Sequence, residues 1–166
     1  MNESLIILGS GFVTAVLLIL LTNEVTNLSL PKEQVKEESF SATSLLKGAM
    51  FVSGGILLTE LLASMQQMFH LLPETLNAQD YTLDGLKYYG IFFGATLVSL
   101  LILIYSSALL YAVTSGGDNI FKQATKGKTE QVLLYFVILI TLSLGVKLGL
   151  GEFMNTFLPY QQPVIY

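Results

Sequence analysis

At 166 residues, 52% of them hydrophobic and only 12% charged, the chain carries more apolar side chain than the interior of a soluble domain of this size can absorb. A formal net charge of -4 and the lack of any Arg exclude nucleic acid as a partner, because neutralising phosphates takes clustered basic side chains. The absence of Cys excludes disulfides, thiolate nucleophiles and Cys-ligated metals.

The charges gather in short segments separated by long apolar runs. The fold class expected from this pattern is an all-α membrane protein with four transmembrane helices, a single membrane domain over 1–166. Residues 1–72 form its first unit and 86–158 its second. The start, Met1-Asn2-Glu3-Ser4, has no basic n-region, and no A-x-A-like cleavage site follows the first apolar run, so that run is expected to be a permanent span, 5–21. Gly9 and Gly11 within it read as a packing face.

Residues 22–44 are polar, with Glu24, Pro31, Lys32, Glu33, Lys36, Glu37 and Glu38, and are expected to form a loop with room for a short surface helix around 32–40. Ser41, Thr43 and Ser44 offer N-caps for the second span, 45–72, which Pro73 stops. Met65 and Met68 read as lipid-facing or core residues. His70 and Glu74 stand four apart, but Pro73 lies between them and no second His exists, so a zinc site is disfavoured. The connector from Glu74 to Asp84 is acidic, and Asp84-Gly85 is a turn signal.

Tyr81, Tyr88 and Tyr89 cluster as an interfacial belt at the mouth of the third span, 86–113, which contains Gly90-x-x-x-Gly94. Ser106-Ser107 has no His or Lys arranged beside it for nucleophilic chemistry. Residues 114–130 form the third connector, with Gly116-Gly117 at its head and Lys122, Lys126 and Lys128 after it. The glycine pair lacks the GxxxxGK[ST] spacing of a phosphate loop. The fourth span, 131–158, is stopped by Pro159. Basic residues concentrate in 22–44 and 114–130, so the positive-inside rule places both loops in the cytoplasm and both termini outside.

Two charges lie deep within apolar runs. Glu60 is in the middle of the second span, where an uncompensated charge costs about 2.5 to 3.5 kcal/mol. Lys147 is inside the fourth. Ser53, Glu60, Ser64 and Gln67 follow offsets of seven, four and three, one face of a helix, while Ser143, Lys147 and Gly151 share a face of the fourth span beside Gly145-x-x-x-Gly149. The candidate site is therefore an intramembrane ion pair of Glu60 with Lys147, with Ser64 and Ser143 available for remaining hydrogen bonds. A structural tie between helices, a proton or cation site at Glu60 gated by Lys147, and charges facing separate partners all remain open. Glu152 offers Lys147 a second acceptor or simply reaches water.

An offset of 88 positions lays Val25-Thr26 on Val113-Thr114, Leu45-Leu46 on Leu133-Leu134, and Thr59 on Lys147, which suggests two parallel two-helix repeats. With that layout, and with the stretch DNIFKQATKGKTEQVLLYFVILITLSLGVKLG, the chain resembles the YjfL-like bacterial inner-membrane proteins, built from tandem two-span units. Phe40-Ser41-Ala42-Thr43-Ser44 and Thr129-Glu130-Gln131 stand where that family carries an Asn and small residues. The resemblance implies a multi-pass protein of the bacterial inner membrane, in a setting near membrane-stress proteins, without an assigned activity. No catalytic, cofactor or metal constellation is expected. The functional expectation is a non-enzymatic membrane subunit or scaffold, in contact with lipid and with a second copy or other membrane subunits. Its rival is a small homo-oligomeric channel or ion-coupled transporter using Glu60 and Lys147.

Overall fold

The computed structural model describes residues 3–30, 39–71 and 78–158, with side chains placed from residues 7, 41 and 83 onward in the three segments. All regular structure among the described residues is helical: α1 (Glu3–Ser29), α2 (Ser39–Leu71), α3 (Ala78–Thr114), α4 (Ile120–Thr125) and α5 (Thr129–Asn155). The four longer helices have the length and apolarity to cross a membrane.

Their ends differ from the sequence expectation because polar residues that looked like loop are held in helix by lateral partners. α1 runs on from Asn23 to Ser29. Within that extension the Thr26 hydroxyl donates to Thr22 O, and Asn23 and Asn27 accept from Lys47 of α2. The helix stops two residues before Pro31, consistent with the disfavoured α conformation ahead of proline. α2 has begun by Ser39, so Ser41, Thr43 and Ser44 lie inside its first turns and do not cap it. α3 passes through Asp84-Gly85, where a turn was expected. Glycine there costs about 1 kcal/mol of helix propensity, but its bare face seats the Phe69 ring of α2, 3.5 Å from where a Cβ would stand. α5 opens at Thr129 and closes at Asn155, leaving Thr156 to Leu158 in a turn. Glu74, Pro73, Pro159 and most of the surface helix expected near 32–40 lie outside the described residues.

The third connector is more structured than its polarity implied. Gly116 and Gly117 adopt φ of 76° and 97°, and the Gly117 amide donates to Ala112 O, terminating α3. Asn119 then caps α4, its side chain accepting from the Phe121 amide at 2.9 Å. The short helix buries Ile120, Phe121 and Ala124 against α2 and α5 while Lys122 and Lys126 stay exposed.

α2 is the hub, touching every other helix, with its broadest interface on α5. Residue numbers on facing helices run in opposite senses for α1 with α2 (Gly11 by Leu62, Thr26 by Met50), α2 with α3 (Gly54 by Leu100, Phe69 by Gly85) and α3 with α5 (Tyr111 by Gln131, Ile104 by Tyr135). α2 and α5 are therefore parallel. Leu46, Met50, Leu57, Ile104, Tyr135 and Leu139 are among the residues of one buried apolar core. α1 lies outside this trio on α2, and its outer face, with Leu8 71% and Phe12 70% exposed, is apolar, as a lipid-facing surface requires.

Candidate functional site: an intramembrane charge pair

The offsets of seven, four and three turn Ser53, Glu60, Ser64 and Gln67 to one side of α2. Because α2 and α5 are parallel, Glu60 at mid-helix meets α5 between Lys147 and Gly151. Lys147 Nζ lies 3.4 Å from Glu60 Oε1, with the two side chains 33% and 21% exposed. The other carboxylate oxygen is seated on Gly151: a Cβ at that position would stand 2.6 Å from Glu60 Oε2. Gly151 is thus a notch one turn beyond Lys147, and it fixes where the carboxylate can lie.

The flanking hydroxyls do other work. Ser143 donates to Leu139 O at 2.7 Å, within its own helix, and so contributes no hydrogen bond to the pair. Ser64 is buried one turn from Glu60, with no hydrogen bond to the carboxylate among the described residues. Ser53 Oγ is fully buried and has no partner among them, as is Ser107 Oγ on α3. Gln67 is exposed. Glu152 is exposed too, and among the described residues Glu60 is the carboxylate within reach of Lys147. His70 is exposed, Met65 and Met68 are core residues, and Ser106 donates to Leu103 O.

The small-residue motifs do not hold the bundle together as expected. A Cβ added at Gly90, Gly94, Gly145 or Gly149 would meet none of the described residues within 4 Å, and neither would one at Gly9. Close approach within the chain is made instead at Gly11, Gly54, Gly85 and Gly151. Gly94 opens onto a groove of about 510 Å³ between α3 and α5, lined also by Ile91, Ala95, Val98, Phe153 and Phe157.

Comparison with protein-family models, with curated proteins and with solved structures gives no match. The chemistry of the site therefore rests on its own geometry. An acid and a base at 3.4 Å neutralise each other and tie α2 to α5.

Two polar features were missed by the sequence reading. Ser10, Thr14, Leu18, Thr22 and Thr26 recur every four residues along α1 and form its inward stripe. Thr14 Oγ1 lies 2.8 Å from Tyr89 Oη of α3, and the hydroxyl oxygens of Ser10 and Thr26 lie 3.7 Å and 3.1 Å from the sulfurs of Met65 and Met50. The second feature is Lys47, whose ammonium donates to Asn23 Oδ1 at 2.8 Å and Asn27 Oδ1 at 3.1 Å. The four-residue spacing of the hydroxyls and of the two Asn was the available signal in each case.

Proposed function

We propose that the protein is a non-enzymatic integral membrane subunit or scaffold, built from two parallel two-helix repeats and inserted in a bacterial inner membrane with 22–44 and 114–130 on the cytoplasmic side. The observation that carries this reading is the seating of Glu60: one oxygen on Lys147, the other in the Gly151 notch. Such a carboxylate is a fixed joint between the two parallel helices, and a joint is what a scaffold needs. At Gly90, Gly94, Gly145 and Gly149 an added Cβ would meet none of the described residues, which leaves room for helices of a second copy or of another membrane subunit. The resemblance to YjfL-like proteins adds membrane stress as the setting.

A second reading, a proton- or cation-coupled transporter, is favoured by one feature. The unpartnered Ser53 hydroxyl stands two turns from Glu60 on the same face, where a relay would have its next member. The test is the particle mass in detergent together with ion flux in liposomes. Copurification of a second protein or a defined oligomer, with no flux, supports the scaffold. Flux that Glu60→Gln abolishes replaces it with the transporter, and a monomer without flux overturns both.

A further inference from the structure

We infer that Asn23, Asn27 and Lys47 form a binding site for the phosphodiester of an anionic phospholipid at the end of the α1/α2 hairpin. Asn23 and Asn27, one turn apart on α1, both direct their amide oxygens to the Lys47 ammonium. That orientation is dictated by the cation, since an amide NH2 turned toward it would set donor against donor. Two of the three ammonium hydrogens are thereby used. Among the described residues what remains unused is one ammonium N–H and the NH2 groups of both Asn, donors that stand beside the second lone pair of each amide oxygen.

Among the described residues its charge is uncompensated. Among the described residues no carboxylate lies within 4.0 Å of Lys47, and the one ion pair found there is that of Lys147 with Glu60. Glu24, the acidic residue nearest in sequence to the Asn pair, is exposed and about 100° round the helix from Asn23. A half-buried cation held only by neutral oxygens calls for an anion, and an oxygen-rich one can take several of these donors at once.

Depth selects the source of that anion. The candidate span Ser41–Leu71 has 31 residues, about 46 Å of helix against a hydrocarbon core of about 30 Å, so about 8 Å projects at each end. Lys47 lies six residues, about 9 Å, inside its start. On α1, whose candidate span closes at Ser29, Asn27 and Asn23 lie two and six residues from the end. By that count Lys47 starts about 1 Å inside the hydrocarbon boundary with Asn27 close to it and Asn23 one turn deeper, a depth from which a lysine stem reaches the interface where lipid phosphates sit.

The test uses the full chain purified in detergent, titrated with dihexanoyl phosphatidylglycerol, with dihexanoylglycerol, which lacks the phosphate, and with inorganic phosphate, while the melting temperature is followed. Phosphatidylglycerol should give a saturable rise that the other two do not. Asn27→Asp, at an exposed position, sets a fixed carboxylate beside the ammonium and should weaken the apparent affinity about tenfold or more, as should Lys47→Gln, through loss of a charge-assisted contact. Lys47→Arg should retain most of it. An equal rise with dihexanoylglycerol, or an undiminished response in Asn27→Asp, would overturn the site, and a rise with inorganic phosphate alone would overturn its assignment to lipid. The site is separate from Glu60, so none of these outcomes bears on the proposed scaffold.

Discussion

Replacing Lys147 by Met tests the charge pair most directly, because it keeps the length and apolar stem of the side chain and removes only the ammonium. At 3.4 Å the attraction is about 5 kcal/mol at an effective dielectric of about 20, and about 1 kcal/mol at that of water. Exposures of 33% and 21% place the pair between these limits, and desolvation of both ions offsets much of the gain. The larger effect is what the variant leaves behind, a carboxylate in the spanning region with no cation, at a cost of about 3 kcal/mol. Lys147→Met should therefore destabilise by about 3 kcal/mol, while Glu60→Gln should cost less, because a lysine stem can carry its ammonium toward the interface. The double variant Glu60→Gln with Lys147→Met should recover about 2 kcal/mol relative to the sum of the singles. Reversible unfolding in mixed detergent and SDS micelles, read by helical circular dichroism, measures all three. Strict additivity would refute the reasoning, since it would mean that the two charges do not sense each other.

Gly151→Ala puts a methyl where Glu60 Oε2 lies and should cost about 1 to 3 kcal/mol in the same unfolding assay, with Glu60→Gln/Gly151→Ala no better, because the amide is as large as the carboxylate. Exchanging the charges, Glu60→Lys with Lys147→Glu, should restore only part of the stability, since the Gly151 notch would then face a lysine stem; full recovery would show that the notch is immaterial. Tyr89→Phe should cost about 0.6 to 1.7 kcal/mol in the native chain and nothing further in a Thr14→Val background, where the 2.8 Å hydrogen bond is already gone. Ser53→Ala should be neutral or stabilising by up to about 1 kcal/mol, as it deletes a buried hydroxyl without a partner; a marked loss would indicate that a water or a transported ion is held there.

The four spans are legible because each is an apolar run long enough that only a membrane can absorb it. Glu60 and Lys147 stand out by the same logic, as charges far from any span end. The helix ends are not legible, because hydropathy stops where the hydrocarbon stops, whereas the backbone stays helical wherever a neighbour satisfies the polar side chains, as Lys47 does for Asn23 and Asn27. α4 was hidden for another reason: six residues between glycines carry too little periodicity to read, and its helix depends on the Asn119 cap and on burial of Ile120 and Phe121. Gly151 is legible as a small residue on the Lys147 face, whereas its role as the seat of the carboxylate follows only from the depth at which α2 meets α5.

The contacts between helices bear on how the two halves relate. At the offset of 88, Asn23 and Lys47 correspond to Tyr111 and Tyr135. Both pairs join the first helix of a unit to its second, one by a hydrogen bond of 2.8 Å and the other by edge-on rings 6.5 Å apart. A strict two-fold, however, would lay α1 on α5 as α3 lies on α2, and no comparable contact of α1 with α5 exists among the described residues. The flank of α5 that α1 would have covered stays open. Thr141, Gly145 and Glu152 of α5 are exposed, and the charge pair is itself only partly shielded. A second copy or another subunit filling that place would shield Glu60 and Lys147 further, so the coupling between the two charges should be stronger in the assembled membrane particle than in the isolated chain in detergent.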